Sequence, residues 1–155
     1  MRIRTVMAGV VAGAALAAGA FAAPAQAADG KQLATDAVGP GGSPTYYCTY
    51  GTARARGCFA PHGEWFRIED TMVDGAPVVI DWKFFDDEVS PTGAVVRKGR
   101  IWHTAGSASG PRYMNKSFPE NQPGVTLKTI VFRACSGNYP NNSVSFCSEW
   151  ISVGT

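Results

Sequence analysis

Two cysteines, Cys48 and Cys58, enclose the short basic segment CTYGTARARGC. Many protease inhibitors present a scissile bond on a loop that a nearby disulfide holds rigid, because rigidity reduces the entropy lost on docking. Arg54 or Arg56 would then enter the acidic specificity pocket of a trypsin-like protease. A stapled turn with solvated arginines explains the same residues, so Arg54 and Arg56 are possible partner contacts under either interpretation.

A second candidate site is the segment APHGEWFRIED, which carries His62, Glu64, Glu69 and Asp70. A glycoside hydrolase needs two carboxyl groups at a set separation, one of them with a raised pKa. On a surface strand, alternation over a buried tryptophan would place His62 and Glu64 on one face without any catalytic role. The sequence contains no G-x-S-x-G or H-E-x-x-H motif, and we expect no enzyme activity and no cofactor.

The four cysteines indicate two disulfides, because an even number in an oxidising compartment is usually paired. Of the three possible connectivities we favour Cys48–Cys58 and Cys135–Cys147, since each pair brackets a short segment with its own turn residues. The even separations suit cysteines that face each other across a hairpin, where each bond would stabilise the fold by roughly 3 kcal/mol. Zinc is the rival ligand at Cys58 and His62, but no second Cys/His pair completes a site.

The first 27 residues have the features of a secretory signal peptide. Arg2 and Arg4 precede the apolar run AGVVAGAALAAGAFA, which is shorter than the ~20 residues that a membrane span needs. Ala25 and Ala27 then stand where a small-residue cleavage site requires them. We therefore expect the signal peptide to be removed and the protein to be secreted and extracellular, with no membrane span.

Net charge argues against nucleic acid or an anionic membrane as the partner of this chain. The sequence has 14 basic and 12 acidic residues, and two of the basic ones, Arg2 and Arg4, belong to the predicted signal peptide. The remainder therefore has a formal net charge of zero, without the excess of Lys and Arg typical of nucleic-acid-binding proteins. We expect a monomer whose partner is an unknown extracellular protein or polysaccharide and not a nucleic acid.

The rest of the chain changes character at about Thr45. Residues 28–44 are dominated by Gly, Pro and small polar side chains, which predicts a flexible N-terminal lead. From Thr45 onward, short runs rich in Val, Ile, Thr and aromatic residues alternate with turn residues. This pattern predicts a single all-β domain over residues 45–155, an antiparallel β-sandwich or small barrel of about six to eight strands with two local disulfides.

Alternation within two of these runs predicts which side chains are buried. In APVVIDWKFF, Ile80, Trp82 and Phe84 fall on one face of a strand. In the final run, SVSFCSEWISV, the same spacing puts Phe146 and Trp150 on the packed face.

The connection SPTG, residues 90–93, predicts a hairpin between APVVIDWKFFDDE and VVRKGRIW. That hairpin would bring an acidic cluster close to a basic one. The two clusters are Asp86, Asp87 and Glu88 on one side and Arg97, Lys98 and Arg100 on the other. We interpret them as cross-strand ion pairs, worth roughly 0.2–1 kcal/mol each, and not as a calcium site.

Aromatic residues give a further candidate surface. We assign most of the four tryptophans to the core and expect Tyr46, Tyr47 and Tyr50 at the surface, together with the segment SASGPRYMNKSFPE. Exposed rings could stack on sugars or anchor a protein partner, so a carbohydrate-binding module is an alternative function. We expect His103, the second histidine, to be solvated.

Three segments stand out beside the Ala-rich leader: CTYGTARARGCFAPHGEWFRIEDTMVDGAPVVIDW, then NKSFPE, then the final RAC...FCSEW. In this layout the chain resembles small secreted actinobacterial proteins of uncharacterised function. The resemblance covers most of residues 46–153 and implies a β-rich, two-disulfide, secreted protein with no catalytic residue to carry over. The sequence thus predicts a secreted, non-catalytic binding protein, with a protease inhibitor using residues 48–58 as bait and a carbohydrate-binding module as alternatives.

Overall fold

The computed structural model describes residues 29–50, 54–121 and 127–155. The strands are β1 Gly30–Leu33, β2 Tyr47–Cys48, β3 Ala55–Ala60, β4 Trp65–Asp70, β5 Val78–Asp86, β6 Val95–His103, β7 Arg112–Asn115, β8 Lys128–Asn138, β9 Ser143–Ser145 and β10 Ile151–Gly154. One turn of 3-10 helix covers Ser107–Ser109. Within these ranges no helix has the length and hydropathy to cross a membrane. The predicted signal peptide lies outside the described residues.

The strands form two sheets that curl into a half-barrel. The larger sheet has the order β1-β6-β5-β8-β10. β10 pairs with residues 129–132 of β8, and β9 pairs with residues 136–138 at the other end of the same strand. The smaller sheet has the order β2-β3-β4-β7. Every pair is antiparallel except β1 with β6, which is parallel. The predicted all-β fold is confirmed. The structure has more strands than the six to eight expected, because the count includes β1, β2 and β9, which are only two to four residues long.

β5 is a central strand of the larger sheet, and its alternation is as predicted. Ile80, Trp82 and Phe84 are buried against the smaller sheet, whereas Asp81 and Lys83 lie half-buried on the outer face. β5 pairs with β6 through the predicted hairpin. This alternation of apolar and polar side chains is expected because one face of the antiparallel sheet packs on the core and the other meets solvent.

An aromatic core joins the two sheets. Phe66 of β4 is fully buried, and its ring centroid lies 5.8 Å from that of Phe132 on β8 and 6.2 Å from that of Trp82 on β5. Gly57 on β3 lets the sheets approach closely, because a Cβ at this position would lie 2.9 Å from Cγ1 of Ile80. These contacts hold the smaller sheet, and the segments attached to it, in one position over the larger.

Both predicted disulfides are confirmed. Cys48 and Cys58 are register partners across the β2–β3 hairpin, with their Cα atoms 4.0 Å apart. The Cα atoms of Cys135 and Cys147 are also 4.0 Å apart. Each bond therefore closes its own hairpin, and the directly opposed pairing that the even separations predict is found for Cys48 and Cys58.

The second hairpin reaches this geometry through an irregular residue. The pairing of Ser136 with Ser145 would place Phe146 opposite Cys135 if the register continued. Phe146 instead adopts a left-handed φ of 46° and stands as one extra residue outside the pairing, as in a β-bulge. This shift of one position brings Cys147 to Cys135. The prediction that Phe146 lies on the packed face is therefore wrong, and its side chain is 67% exposed.

The prediction of a flexible lead over residues 28–44 is corrected by β1. Residues 30–33 lie along the edge of β6, with Gly30 opposite Gly99. A Cβ at Gly99 would lie 2.9 Å from the Gly30 carbonyl oxygen, so the close approach requires glycine there. Ala34 is buried, and its N–H donates to the carbonyl of Trp102 at 2.7 Å.

The predicted ion pairs between residues 86–88 and residues 97–100 do not form as expected. The register of the hairpin places Arg97 opposite Phe84 and shifts between Phe84 and Phe85, so the acidic cluster lies beyond the basic one. Arg97 instead binds Asp29 through two hydrogen bonds of 2.9 and 3.0 Å. Glu88 pairs across the sheet with Lys128 at 3.3 Å.

Candidate functional site

A groove of about 310 Å³ lies where the outermost strands of the two sheets meet, β2 of the smaller and β10 of the larger. We call it the tyrosine groove. Its walls include Tyr46, Tyr47, Tyr50, Arg56, Ile151 and Ser152. The structure thus brings together three tyrosines and one arginine that the sequence marks as possible contacts, and adds β10, which the sequence does not connect with them.

Local structure fixes the tyrosines in exposed positions. The Thr49 N–H donates to the Gly57 carbonyl at 2.8 Å, and the Gly57 N–H donates to Oγ1 of the buried Thr49 at 3.2 Å. Together with the Cys48–Cys58 bond, these contacts tie the segment to β3. Tyr47 is 50% exposed and Tyr50 81% exposed, so their predicted surface position is confirmed.

Tyr46 is the most enclosed of the three. Its hydroxyl is buried and, within the described residues, has no hydrogen-bond partner. Burial raises the pKa of this phenol, Tyr113 raises it further, and Arg67 partly offsets the shift. Tyr46 is therefore an uncharged phenol at neutral pH, so it adds no negative charge beside Arg56.

The two arginines of the predicted bait differ in their surroundings. Nη1 of Arg54 lies 2.7 Å from Asp74, and its guanidinium lies 4.5 Å from the ring centroid of Phe146. Arg56 is exposed and stands opposite Glu69, but Glu69 pairs with Arg67 at 3.1 Å. Over the described ranges no carboxylate lies within 4 Å of Arg56. Of the pair, Arg56 is the cation available to a partner.

This geometry does not favour the bait hypothesis. An inhibitory loop must give its main chain and its arginine to the protease at once. The Arg54 carbonyl already accepts the Thr71 N–H at 3.1 Å, and Arg56 belongs to the β3–β4 ladder. Residues 51–53, the centre of the predicted bait, lie outside the described residues.

The candidate carboxylates are not brought together. Oε1 of Glu64 accepts the Phe118 N–H at 2.8 Å, and burial raises the pKa of this carboxyl. Glu69 is paired with an arginine of its own strand, Asp70 accepts an N–H of the turn after β4, and His62 is exposed. No two of these groups are in contact in the described structure. No described group of three or more His, Cys, Asp or Glu side chains could hold a metal, and the zinc hypothesis loses Cys58 to its disulfide.

His103 is buried, and the expectation that it is solvated is wrong. Nδ1 accepts the Ala105 N–H at 3.3 Å, so the neutral ring carries its proton on Nε2, which faces the Gly110 carbonyl at 3.1 Å. Oγ of Ser109 lies 3.4 Å from Nε2 but donates to the Gly106 carbonyl at 2.7 Å. The Nε2 proton of His103 and the hydroxyl proton of Ser109 are each donated to a backbone carbonyl. His103 is therefore not placed to accept a proton from the Ser109 hydroxyl, as a general base for a serine nucleophile would be.

Burial lowers the pKa of His103, and this predicts a loss of stability in acid. Below about pH 6.5 the imidazole is protonated in the unfolded chain but still neutral in the folded chain. The free energy of unfolding therefore decreases as the pH is lowered, by at most about 1.4 kcal/mol per pH unit. Urea unfolding between pH 7 and pH 4 should show a shallower loss in a His103→Gln variant. A His62→Gln variant, which changes the exposed histidine, should follow the wild type; equal curves for all three proteins would contradict the assignment.

Comparison of the chain with protein-family models, with curated proteins and with solved structures found no match. The interpretation of the tyrosine groove therefore depends on its own residues.

Proposed function

We propose that this is a secreted, non-catalytic binding protein whose tyrosine groove receives an extended segment of a partner protein. The observation that carries the proposal is Arg56, an exposed cation with no carboxylate within 4 Å among the described residues, set beside three tyrosines at the edges of two sheets. The predicted signal peptide and the two disulfides support an extracellular compartment.

The residue types fit a protein partner. Tyrosine and arginine are enriched at protein interfaces and among the residues that dominate binding energy. Tyrosine offers a large amphipathic area with few rotatable bonds, so ordering it on binding costs little entropy. Tyr47 and Tyr50 are already held in place by the stapled hairpin, which reduces that cost further.

The groove also has strand edges on both sides. Among the described residues, β2 and β10 each pair with a strand on one side only, and they belong to different sheets. The free edge of a strand presents unpaired N–H and C=O groups, to which an extended segment of another chain can add. An acidic side chain in that segment would pair with Arg56. The edges favour a peptide over a sugar, which would use the tyrosine rings alone.

Panning a library of random peptides on the immobilised oxidised protein tests the proposal. We expect enrichment of peptides that place Asp or Glu among β-branched and aromatic residues. The affinity of the enriched peptides should fall about tenfold in a Tyr47→Ala/Tyr50→Ala variant and about tenfold in Arg56→Gln, as for truncated interface anchors. A Lys83→Gln/Lys98→Gln variant, altered outside the groove, should bind them like the wild type.

Three results would overturn this function. Enriched peptides that bind the groove variants as tightly as the wild type would place the contact elsewhere. Retention on insoluble polysaccharide that depends on Tyr47 and Tyr50 would make the protein a carbohydrate-binding module. Stoichiometric inhibition of a trypsin-like protease that is lost in an Arg54→Ala/Arg56→Ala variant would make it an inhibitor.

A further inference from the structure

The outer face of the larger sheet concentrates positive charge, although the formal net charge of the chain without its predicted signal peptide is zero. Five cationic side chains lie on this face with a single carboxylate of the same strands, Asp81. They are Lys31, Lys83, Lys98, Arg100 and Arg133. We call this surface the basic face. It has no residue in common with the walls of the tyrosine groove.

The one carboxylate of the basic face, Asp81, is paired with two arginines. Oδ1 of Asp81 lies 3.4 Å from Nε of Arg100, and Oδ2 lies 3.0 Å from Nη2 of Arg133. Asp81 stands between these arginines in the register of β6, β5 and β8. It therefore pairs with both guanidinium groups, and among the described residues neither Lys83 nor Lys98 lies within 4 Å of it.

Two lysines of the basic face have no carboxylate partner among the described residues. Lys83 and Lys98 are register partners on β5 and β6, so their side chains leave the same face of the sheet directly opposite each other. No carboxylate of the described residues lies within 4 Å of either ammonium group. Asp29 lines a neighbouring hollow with both lysines, but Arg97 binds both of its oxygens. Like charges directly opposite in a sheet are destabilising, and a bound anion would relieve that repulsion.

The surface between these cations is open. A hollow of about 280 Å³ is lined by Lys83, Lys98 and Arg100, by the arginine-paired carboxylate of Asp81, and by Gly30 and Gly99. A Cβ at Gly30 would meet no atom within 4 Å, so the start of β1 leaves this side of the hollow open. An anionic group can therefore approach both ammonium groups from solvent.

We propose that the basic face binds a linear polysaccharide that carries carboxylate or sulfate groups. Lys98 and Lys83 lie side by side on adjacent strands, about 4.8 Å apart, and Arg100 and Arg133 lie two residues further along the sheet, on either side of Asp81. A chain with one acidic group on each repeating unit can meet several of these cations at once. Binding at several weak sites on one polymer gives retention that no single contact supplies.

The aromatic rings of this face favour a polysaccharide over a single-stranded nucleic acid. Nucleic-acid bases need open rings on which to stack. The ammonium group of Lys31 lies 3.8 Å from the ring centroid of Tyr139. The ammonium group of Lys83 and the guanidinium group of Arg133 lie 4.5 and 4.4 Å from the ring centroid of Trp150. The rings therefore hold the protein's own cations in position.

Salt elution from a heparin column, followed by calorimetric titration with heparin and with polygalacturonate, tests this proposal on the oxidised wild-type protein. We expect binding that weakens with salt. A Lys83→Gln/Lys98→Gln variant should bind about tenfold more weakly, with a salt slope smaller by about two charges. An Arg54→Gln/Arg56→Gln variant of the same net charge is the matched control and should elute with the wild type.

Thermal unfolding supplies a second readout that does not depend on the column. At one heparin concentration, the Tm should rise by the same amount in the wild type and in the arginine control, and by less in the lysine variant. Equal weakening in both double variants would overturn the proposal, since net charge alone would explain it. Tighter binding of a single-stranded DNA or of phosphatidylserine vesicles than of either polysaccharide would also overturn it. Loss of peptide binding in the groove variants is a separate result and does not bear on this face.

Discussion

A Phe66→Ala variant should lose about 3–5 kcal/mol of unfolding free energy, among the largest effects expected of one substitution in this protein. Phe66 is fully buried, and the ring centroids of Phe59, Phe132 and Trp82 lie 4.8, 5.8 and 6.2 Å from its own. Phe132 and Trp82 belong to the larger sheet and Phe66 to the smaller. Removing the ring therefore leaves a cavity between the sheets, and both sheets lose contacts.

Urea unfolding followed by tryptophan fluorescence measures this loss. A Tyr50→Ala variant removes a ring of similar size from an 81% exposed position and should change stability by less than about 0.5 kcal/mol. If Phe66→Ala stayed within about 1 kcal/mol of the wild type, the sheets would have to close over the cavity, contrary to the rigid packing described above.

Replacing Lys116 with methionine should make the protein more stable at pH 7, by about 1–3 kcal/mol. The lysine side chain is fully buried. Its Nζ is hydrogen-bonded to Oε1 of Gln32, 4.0 Å from Oδ1 of Asp29 and 5.1 Å from the ring centroid of Trp82. Burial lowers its pKa to about 8, while the nearby Asp29 partly offsets that shift. The surroundings therefore do not fully compensate the buried charge.

The same shift sets the pH dependence of stability. Below about pH 8 the lysine is charged in both the folded and the unfolded chain, and the cost of burying the charge is fully present. Between pH 8 and its ordinary pKa of 10.5, the unfolded chain binds a proton that the folded chain has released. Stability should therefore rise with pH over this interval in the wild type, and the Lys116→Met variant should lack the rise.

Urea unfolding at pH 7, 8, 9 and 10 and constant ionic strength measures both effects. The series ends at pH 10 because the raised pKa of Tyr46 makes stability fall above that pH. Lys128→Met is the matched control, since Lys128 is also buried but pairs with Glu88. It should keep the rise. A methionine variant at position 116 that is less stable than the wild type at pH 7 would show that Gln32 and Asp29 compensate the charge.

Local features of the fold could be predicted from the sequence. The disulfides follow from cysteine pairs that each bracket a short segment with its own turn residues, and the burial of Trp82 follows from alternation in one strand. β1 could not be predicted, because the segment GKQL has no strand pattern of its own. It forms a strand because β6 offers a free edge and Gly99 allows a close approach.

The sites could be predicted only in part, for the same reason. Tyr47, Tyr50 and Arg56 lie within ten consecutive residues, so their common surface is visible in the sequence. Their neighbour β10 comes from the far end of the chain and is brought there by the pairing of the larger sheet. The segment SASGPRYMNKSFPE, expected at the surface, instead buries Lys116 and Phe118.

The basic face shows how register decides electrostatics. Net charge counts residues without regard to their position in the fold. The chain without its predicted signal peptide has equal numbers of basic and acidic residues, so its net charge does not indicate a charged face. The hairpin register places Lys83 opposite Lys98 and moves Asp86 beyond the basic cluster. A difference of one or two residues in that register would have changed which charges meet.

The two disulfides join the cysteines in the order in which they occur, the first with the second and the third with the fourth. A chain that emerges from a ribosome or a translocation pore from its N-terminus presents Cys48 and Cys58 together, well before Cys135 follows. An oxidase that acts on cysteines as they appear therefore makes the native bonds directly. We expect biogenesis of this protein to be independent of a disulfide isomerase, unlike that of proteins whose bonds cross between distant segments.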